Sequence, residues 1–226
     1  MGSTVAARPK RAGRLASGGA IRHAAARLFL HQGYASTSMD EIAAAAHVSK
    51  QTIYTHFASK EELFADLVLA NAERVDEFLA IIDQTLSDPV DLPAALRRLA
   101  RQYLGFVVRP ETLRLRRLII GEAARFPKLA RRYYELVPGR VYAALEAQFT
   151  EIGKNGQLRV DDPAAAARHF VGLTLGQPLD RGMFYPVESA TEGTNLEELA
   201  DSGVHVFLAA YSNRRALGRN GSGAIR

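Results

Sequence analysis

The amino-acid sequence predicts an all-α protein, and three observations support that expectation. Apolar residues recur at intervals of three and four along most of the 226 residues, as they do on one face of an amphipathic helix. Serine-led capping patterns precede several of these segments, and no segment shows the apolar–polar alternation of a half-buried strand. A chain of this length can bury an ordinary core in one large domain or two small ones.

The N-terminal end of the chain carries most of its net positive charge. Residues 1–62 contain eight basic and four acidic residues, whereas the whole chain has a net charge of +5. Residues 1–19 are basic, contain several Gly and Ser and few large apolar side chains, so we expect a disordered basic arm there. Positive charge at one end is typical of a polyanion binder, although a solvated tail would have the same composition.

Capping patterns predict the helices that follow the arm. The first helix begins near Ile21, and Gly33 ends it as a C-terminal cap. The second starts where Ser38 precedes Glu41 by three residues, which is the spacing of a capping box. The third starts at Ser49, whose hydroxyl can cap the first turn.

The third and fourth helices differ in length. The third spans about two turns, with Ile53 and Phe57 four residues apart on its apolar side. Ser59 and Glu62 repeat the capping-box spacing and open a fourth helix. We expect that helix to continue to Ile82, so that one unbroken helix joins the N-terminal unit to the rest of the chain.

The second and third helices, joined by the short turn AHVS, predict a helix-turn-helix unit, whose second helix lies in the DNA major groove. The outward side of the third helix is polar and comprises Lys50, Gln51, Thr52, Tyr54, Thr55 and His56. Gln can pair with an adenine edge, Thr and Tyr can contact a thymine methyl or a phosphate, and Lys and His can bind phosphate oxygens. A generic three-helix unit would also carry such residues on a solvated face.

The stretches AARLFLHQGY and ASTSMDEIAAAAHVSKQTIYTHFASKEELF closely resemble the N-terminal domain of TetR/AcrR-family transcriptional regulators. The resemblance covers residues 20–64 and implies that they form the DNA-binding domain. It implies phosphate contacts at the starts of the second and fourth helices, and base-edge and groove-wall contacts along the third. The implied DNA-binding residues are Thr37, Ser38, Ser49, Lys50, Gln51, Thr52, Tyr54, His56 and Lys60. Gln51 departs from the small residue common at that position, which makes it a candidate base-reading residue particular to this chain.

Residues 65–226 predict a C-terminal helical domain. Helices are expected over 92–108, 111–126 and 128–152, the last with a kink at the Pro-Gly pair 138–139. Pro163 is placed as a first-turn proline of the next helix, and a last helix runs from about 196 to 215. The connection 177–195 is predicted to be long and irregular.

This half is similar, more loosely, to C-terminal domains of one branch of the same family, which implies a homodimer that binds a small-molecule effector. The implied dimer interface lies on the last two helices and comprises Phe170, Val171, Val204, Phe207, Leu208 and Tyr211. The alternative is that these faces pack inside one subunit. Candidate ligand-binding residues are Phe78, Tyr103, Phe106, Arg114, Arg117, Glu122, Tyr133, Tyr134 and Tyr142, although each of them also suits a packing role.

Other functional classes find no support in the sequence. It lacks a Gly-rich phosphate loop, a G-x-S-x-G elbow and an H-E-x-x-H pair, and its six histidines are scattered, so we expect no enzyme, no metal and no cofactor. The 0 cysteines exclude disulfides and thiolate ligands, which fits a reducing cytoplasm. No stretch approaches the roughly 20 apolar residues that cross a bilayer.

The sequence therefore predicts a cytoplasmic, ligand-responsive, dimeric DNA-binding regulator. Its partners would be a double-stranded, palindromic operator and a small molecule that releases the protein from that operator, so that it acts as a repressor. The alternative is a small-molecule carrier or scavenging helical bundle without sequence-specific DNA binding.

Overall fold

The computed structural model describes residues 8–72 and 74–213, with the side chains of residues 16–70, 72 and 74–213. These residues form an all-α fold, as predicted. The helices are α1 (Arg8–Ser36), α2 (Met39–Ala45), α3 (Lys50–His56), α4 (Lys60–Ala72), α5 (Val75–Leu86), α6 (Leu92–Val107), α7 (Pro110–Gly121), α8 (Pro127–Tyr134), α9 (Arg140–Lys154), α10 (Pro163–Phe184) and α11 (Leu196–Tyr211). In the same part of the chain, no helix has both the length and the hydrophobicity that a bilayer crossing requires.

The chain divides into two compact units. The first unit comprises residues 1–73 and 114–133, and the second comprises 74–113 and 134–226. The first unit thus extends beyond Phe64, where we expected the boundary, because α4 packs on α1 and buries Leu67 and Val68. Residues 114–133, which we placed in the C-terminal domain, belong to the first unit.

Helix α1 begins earlier than predicted. Its backbone is helical from Arg8, so residues 8–19 continue the helix that we expected to start near Ile21, and residues 1–7 of the predicted arm lie outside the described residues. The flanking Ala, Arg and Leu residues are good helix formers, which offsets the cost of Gly18 and Gly19. Gly33 interrupts α1 as predicted, with φ +84°, a value that only glycine adopts readily.

The expected continuous fourth helix is wrong. Helix α4 ends at Ala72, and α5 begins at Val75. No proline or glycine marks this break in the sequence, and the apolar spacing continues across it. Two other boundaries also differ from prediction, since α7 ends at Gly121 and α10 continues through Pro178 to Phe184. The irregular connection before α11 is therefore shorter than expected.

The kink predicted at residues 138–139 is a π turn. The segment Glu135–Gly139 forms a single π-helical turn with Pro138 inside it, and α9 follows directly. Such a wider turn accommodates a proline whose missing N–H would break an α-helical hydrogen bond. The start of α10 follows the sequence prediction, with Asp162 as N-cap and Pro163 in the first turn.

Aromatic rings form the centre of the second unit. Phe149, Phe170 and Phe207 are fully buried, and their ring centroids lie 5.3–5.8 Å apart. Rings at such distances stabilise a core beyond the area that they bury. Helices α9, α10 and α11 therefore pack together through one ring from each.

Candidate nucleic-acid interface

A tight turn joins α2 to α3. The Val48 N–H donates to the Ala43 carbonyl at 3.0 Å, and His47 takes a positive φ of 54°. Histidine tolerates this conformation better than β-branched residues do. The turn and its two seven-residue helices form the helix-turn-helix unit that the sequence predicted.

Helix α3 is anchored from one side by buried apolar groups. Ile53 is 0% exposed and Phe57 is 4% exposed, and the Arg22 guanidinium lies 5.4 Å from the centre of the Phe57 ring. Arg22 is itself bonded to Asp66 of α4, at 2.7 Å between Nε and Oδ2. The inward side of α3 thus packs on α1, which the Arg22–Asp66 pair joins to α4, as predicted for Ile53 and Phe57.

The opposite side of α3 is open to solvent. Gln51 and Thr55 are exposed, and Tyr54 keeps 48% of its surface accessible. The Thr55 hydroxyl donates to the Gln51 carbonyl at 2.9 Å, and both residues lie within the regular helix α3. The amide and the phenol are the groups that this face offers to a partner.

Ser49 and Thr52 serve the start of α3. The Ser49 hydroxyl accepts the Thr52 N–H at 3.1 Å and lies 2.8 Å from the Thr52 hydroxyl. Both residues retain access to solvent, so the cap leaves them available at the edge of the exposed face.

Lys50 forms an ion pair across the turn. Its ammonium donates to Asp40 Oδ2 of α2 at 2.9 Å, and both side chains are largely exposed. The hydrogen bond to Asp40 raises the pKa of Lys50. The lysine expected near base edges is therefore already paired in the free protein.

His56 faces α1. Its Nε2 lies 2.9 Å from the Ser17 hydroxyl, and a Cβ on Gly18 would lie 3.4 Å from the imidazole ring. The ring is half-buried. His56 consequently connects the end of α3 to α1, in addition to any groove contact that the family resemblance implies.

Thr37, which was expected to contact DNA phosphate, is buried in the structure. Its side chain is 1% exposed, and its hydroxyl donates to the Gly33 carbonyl at 2.8 Å. Gly33 interrupts α1, and this bond satisfies a carbonyl that the interruption leaves without an intrahelical partner. The hydroxyl therefore stabilises the turn into α2.

At both helix starts that were expected to bind phosphate, a carboxylate of the protein itself accepts hydrogen bonds. At α2, the Glu41 carboxylate accepts the Ser38 N–H at 2.7 Å and the Ser38 hydroxyl at 2.9 Å, and the backbone hydrogen bond lowers the pKa of Glu41. At α4, the Glu62 carboxylate accepts the Ala58 N–H at 2.6 Å. Each cap places a negative charge where a phosphate would have to approach.

Lys60 does not extend toward solvent as a phosphate clamp would. Its ammonium lies 4.3 Å from the centre of the Tyr34 ring and donates to the Ala35 carbonyl at 3.4 Å. Burial lowers the pKa of Lys60, and the charge of Arg125 lowers it further. Lys60 is therefore already engaged by Tyr34 and Ala35 in the free protein.

Tyr34 is the centre of a cluster that the sequence did not reveal. It is 1% exposed, its hydroxyl donates to Glu61 at 2.8 Å, and its ring lies 5.0 Å from both Phe64 and Phe126. The Arg125 guanidinium lies 4.8 Å from the same ring. Burial raises the pKa of Tyr34 to about 12, with the hydrogen bond to Glu61 as a second cause. The connection between α7 and α8 thus belongs to the packing of the helix-turn-helix unit.

Two family models match the chain. The family described as bacterial regulatory proteins of the tetR family matches residues 21–67, which contain α2 and α3. The AefR-like transcriptional repressor C-terminal domain matches residues 94–213, more than half of the chain. The chain belongs to the TetR family of transcriptional regulators. These matches are to regulators and not to enzymes, in agreement with the sequence prediction.

Solved structures of TetR-family proteins resemble this chain over most of its length. A putative TetR-family regulator from Mesorhizobium loti is 37% identical with a TM-score of 0.79, covering 88% of this chain and 98% of that one. The flavonoid-responsive regulator FrrA is 36% identical with a TM-score of 0.64 and the same coverage. The transcriptional activator FasR of Mycolicibacterium smegmatis is 37% identical over 90 residues, which span only 39% of either chain.

The effector residues proposed for this TetR-family chain divide between its two units. Phe78, Tyr103 and Phe106 belong to the second unit, where the Phe78 ring stacks on both others at 4.5 and 5.9 Å. Tyr142 and Tyr134 belong to that unit too, half-buried and exposed respectively. The remaining candidates lie in the first unit, and they are Arg114, Arg117, Glu122 and Tyr133. Burial raises the pKa of Tyr133.

The main residues of the predicted dimer interface are buried within one subunit. Phe170, Val204 and Phe207 are 0% exposed within one subunit, and Val171 is also buried, so a second copy cannot contact them. These four side chains pack inside one subunit, as the alternative interpretation of these faces expected. Leu208 and Tyr211 are half-buried, and the Tyr211 hydroxyl lies 2.7 Å from His169 Nδ1.

The outward side of the same two helices carries a different apolar surface. Leu173 and Val206 are 41% and 48% exposed, and they line an open groove of about 580 Å³ together with Gln177, Leu199 and Ser202. Gly203 forms the floor of this groove, where α10 and α11 approach closely. This outer groove is one of the surfaces that α10 and α11 leave uncovered, and its lining combines apolar and polar side chains.

Proposed function

We propose that the protein is a dimeric, sequence-specific DNA-binding repressor that a small molecule releases from a near-palindromic operator. The observation that carries the proposal is that α3 is anchored on one side and open on the other. Ile53 and Phe57 fix its inner side, while Gln51 and Tyr54 remain open. A short helix held in this way can enter a major groove without rearrangement of the domain.

The distribution of charge supports a polyanionic partner for the first unit. That unit contains fifteen basic and seven acidic residues, and the second contains fourteen basic and seventeen acidic ones. Arg22, Lys50 and Lys60 already have partners within the first unit. Phosphate attraction would therefore fall to other basic residues of the unit, among them Arg8, Lys10, Arg11 and Arg14, whose side chains lie outside the described residues.

A second copy of the chain is proposed to cover the outer groove of α10 and α11. The exposed Leu173 and Val206 would supply its apolar contacts, in place of the buried residues first proposed. One α3 helix reads only a half-site, and a twofold dimer would present two of them about 34–36 Å apart. Replacing Val206 with Glu should yield a monomer in sedimentation analysis, and this monomer should bind operator DNA weakly.

The effector is proposed to act on α3 through the Tyr34 cluster. Arg125 and Phe126 contact Tyr34 directly, and Tyr34 bonds to Glu61 at the start of α4. A ligand that favours another position of the α7–α8 connection would alter this packing, because a ligand shifts an equilibrium by its differential affinity for the two states. FrrA is a flavonoid-responsive protein, which makes flavonoids a reasonable first set of effectors to test.

Selection from random duplex DNA tests this proposal. The wild-type chain should enrich a near-palindromic sequence, and its binding should weaken steeply with salt because phosphate contacts release counterions. A variant with both Gln51→Ala and Tyr54→Ala should fold normally and enrich no comparable sequence. If the wild-type chain enriches nothing, the proposed function is wrong and the carrier alternative gains support.

A further inference from the structure

Arg181, in the last turn of α10, binds the segment that leads into α11. Its guanidinium donates from Nη1 to the Thr194 hydroxyl and from Nη2 to the Glu192 carbonyl, both at 3.1 Å. The same group lies 4.7 Å from the centre of the Tyr185 ring. Its Nε is buried and makes no hydrogen bond to the described residues. The two hydrogen bonds therefore tie the end of α10 to the segment 185–195.

The two halves of this segment are held in different ways. In the first half, Val187 and Ala190 are buried in a small cluster with Leu113. Residues 191–195 are TEGTN, which includes no apolar side chain to bury, and none of them is buried. A short polar stretch of this kind has little burial to oppose its conformational entropy. The hydrogen bonds from Arg181 thus restrain the half of the segment that burial does not.

The restrained residues belong to the outer groove. Gly193, Thr194 and Asn195 line it at the start of α11, on the same surface as the exposed Val206. Arg181 is not among the residues that line the groove. It can therefore act on this surface only through the residues that it holds.

We propose that Arg181 is a positioning residue for dimerisation, which holds residues 192–195 in the conformation that a second copy of the chain meets in the outer groove. This inference rests on the proposed function, because it requires the outer groove to be the dimer surface. A segment that is already ordered loses less conformational entropy on association than a loose one does. Since a twofold dimer contains the segment twice, the cost of loosening it enters the dimer dissociation constant twice.

The test compares variants of the full chain by sedimentation over a range of protein concentrations. Arg181→Met keeps an unbranched side chain and removes every donor. Arg181→Lys keeps the charge but lacks the planar fork that reaches two acceptors. Arg140→Met is the matched control, because Arg140 also lies in the second unit, forms an exposed ion pair with Asp76 at 2.7 Å and does not line the groove.

We expect Arg181→Met to weaken the dimer by roughly 10- to 100-fold and Arg181→Lys to weaken it by roughly threefold, while Arg140→Met leaves it unchanged. The monomeric Val206→Glu chain separates this effect from folding. In that chain, Arg181→Met should speed hydrogen exchange of the amides of residues 192–195 and lower the melting temperature only slightly. If Arg181→Met fails to fold, the dimer of Arg181→Lys decides.

Two results would overturn the inference. One is an Arg181→Lys or a folded Arg181→Met chain whose dimer is as tight as that of wild type. The other is equal weakening by Arg140→Met, which would show that the loss of any guanidinium in this unit has the same effect. If wild type is a monomer, or if Val206→Glu leaves its dimer intact, the proposed dimer surface fails as well. That outcome is distinct from a dimer that Val206→Glu dissociates and the Arg181 variants do not weaken.

Discussion

The helix pairs α2–α3 and α10–α11 differ in what they expose: the first presents polar groups to solvent, and the second buries aromatic rings. The first pair consists of two seven-residue helices with one buried side, and its outward polar groups form exposed hydrogen bonds such as that between Lys50 and Asp40. The second pair consists of helices of 22 and 16 residues that bury Phe170 and Phe207 completely. Exposed hydrogen bonds can be exchanged for those of a partner at little cost, whereas buried rings cannot leave their core without loss of the fold.

This contrast predicts where substitutions act. Changes on the outward side of α3 should alter DNA binding and leave stability intact, while changes between α10 and α11 should alter stability first. Ile53 tests the limit of the rule, because it lies in the first pair but on the buried side.

Replacement of Ile53 by Ala should have the largest effect. Its side chain is 0% exposed, and truncation of a buried isoleucine costs about 2–5 kcal/mol. Urea unfolding should show that loss, and DNA binding should fall with it because α3 loses its anchor. An unchanged unfolding midpoint would show that α3 is held by its caps and turn alone.

Replacement of Gly203 by Ala should rank next. A Cβ at this position would lie 2.5 Å from the Leu173 carbonyl oxygen, and a backbone atom cannot move aside cheaply, so we expect a loss of about 1–3 kcal/mol. Gly105 of α6 is the matched control, since a Cβ there meets nothing within 4 Å. Gly105→Ala should raise the melting temperature slightly through helix propensity. Equal behaviour of the two variants would contradict the close packing of α10 on α11.

Replacement of Tyr34 by Phe should have a moderate effect that depends on pH. It removes the hydrogen bond to Glu61, which contributes about 1 kcal/mol. Because the pKa of Tyr34 is raised to about 12 from its ordinary value of 10.0, its stabilising effect is complete below pH 10 and is lost as the pH rises toward 12. Urea unfolding at pH 9 and pH 11 should show a steeper decline for wild type than for the variant. Parallel declines would show that the fold does not favour the protonated phenol.

Replacement of Gln51 by Ala should have the smallest effect on stability, within about 0.5 kcal/mol. It should still relax the base preference at one position of each half-site, because an amide can pair with an adenine edge and a methyl group cannot. Selection from random DNA would measure this change. Retention of the full wild-type preference would assign base reading to other residues, with Tyr54 as the first alternative.

Features that depend on neighbours in the sequence were predictable. The caps at Ser38 and Ser49 join residues three apart, so the sequence contains both partners within one turn. The inward spacing of Ile53 and Phe57 is equally local. These patterns were sufficient to locate the helix-turn-helix unit and the open side of α3.

Features that depend on distant partners were not predictable. The apolar faces of α10 and α11 suit a dimer interface and an internal core equally well, and only the packing of Phe149 on Phe170 and Phe207 decides between them. Thr37 has a side chain typical of a phosphate contact, yet the bend at Gly33 places a carbonyl within its reach. The Lys60 ammonium packs on the Tyr34 ring, which Arg125 also contacts. These three residues come from segments that are far apart in the chain.

The contact of Phe126 with Tyr34 offers a position for a fluorescence probe. The chain contains 0 tryptophans and eight tyrosines, so its ultraviolet fluorescence is weak and comes from tyrosine. A tryptophan in place of Phe126 would dominate that emission. Its indole would lie beside the Tyr34 ring, whose centroid is 5.0 Å from that of the Phe126 ring. Its wavelength and quenching by iodide would then show, in solution and without any label, whether a candidate effector moves the α7–α8 connection.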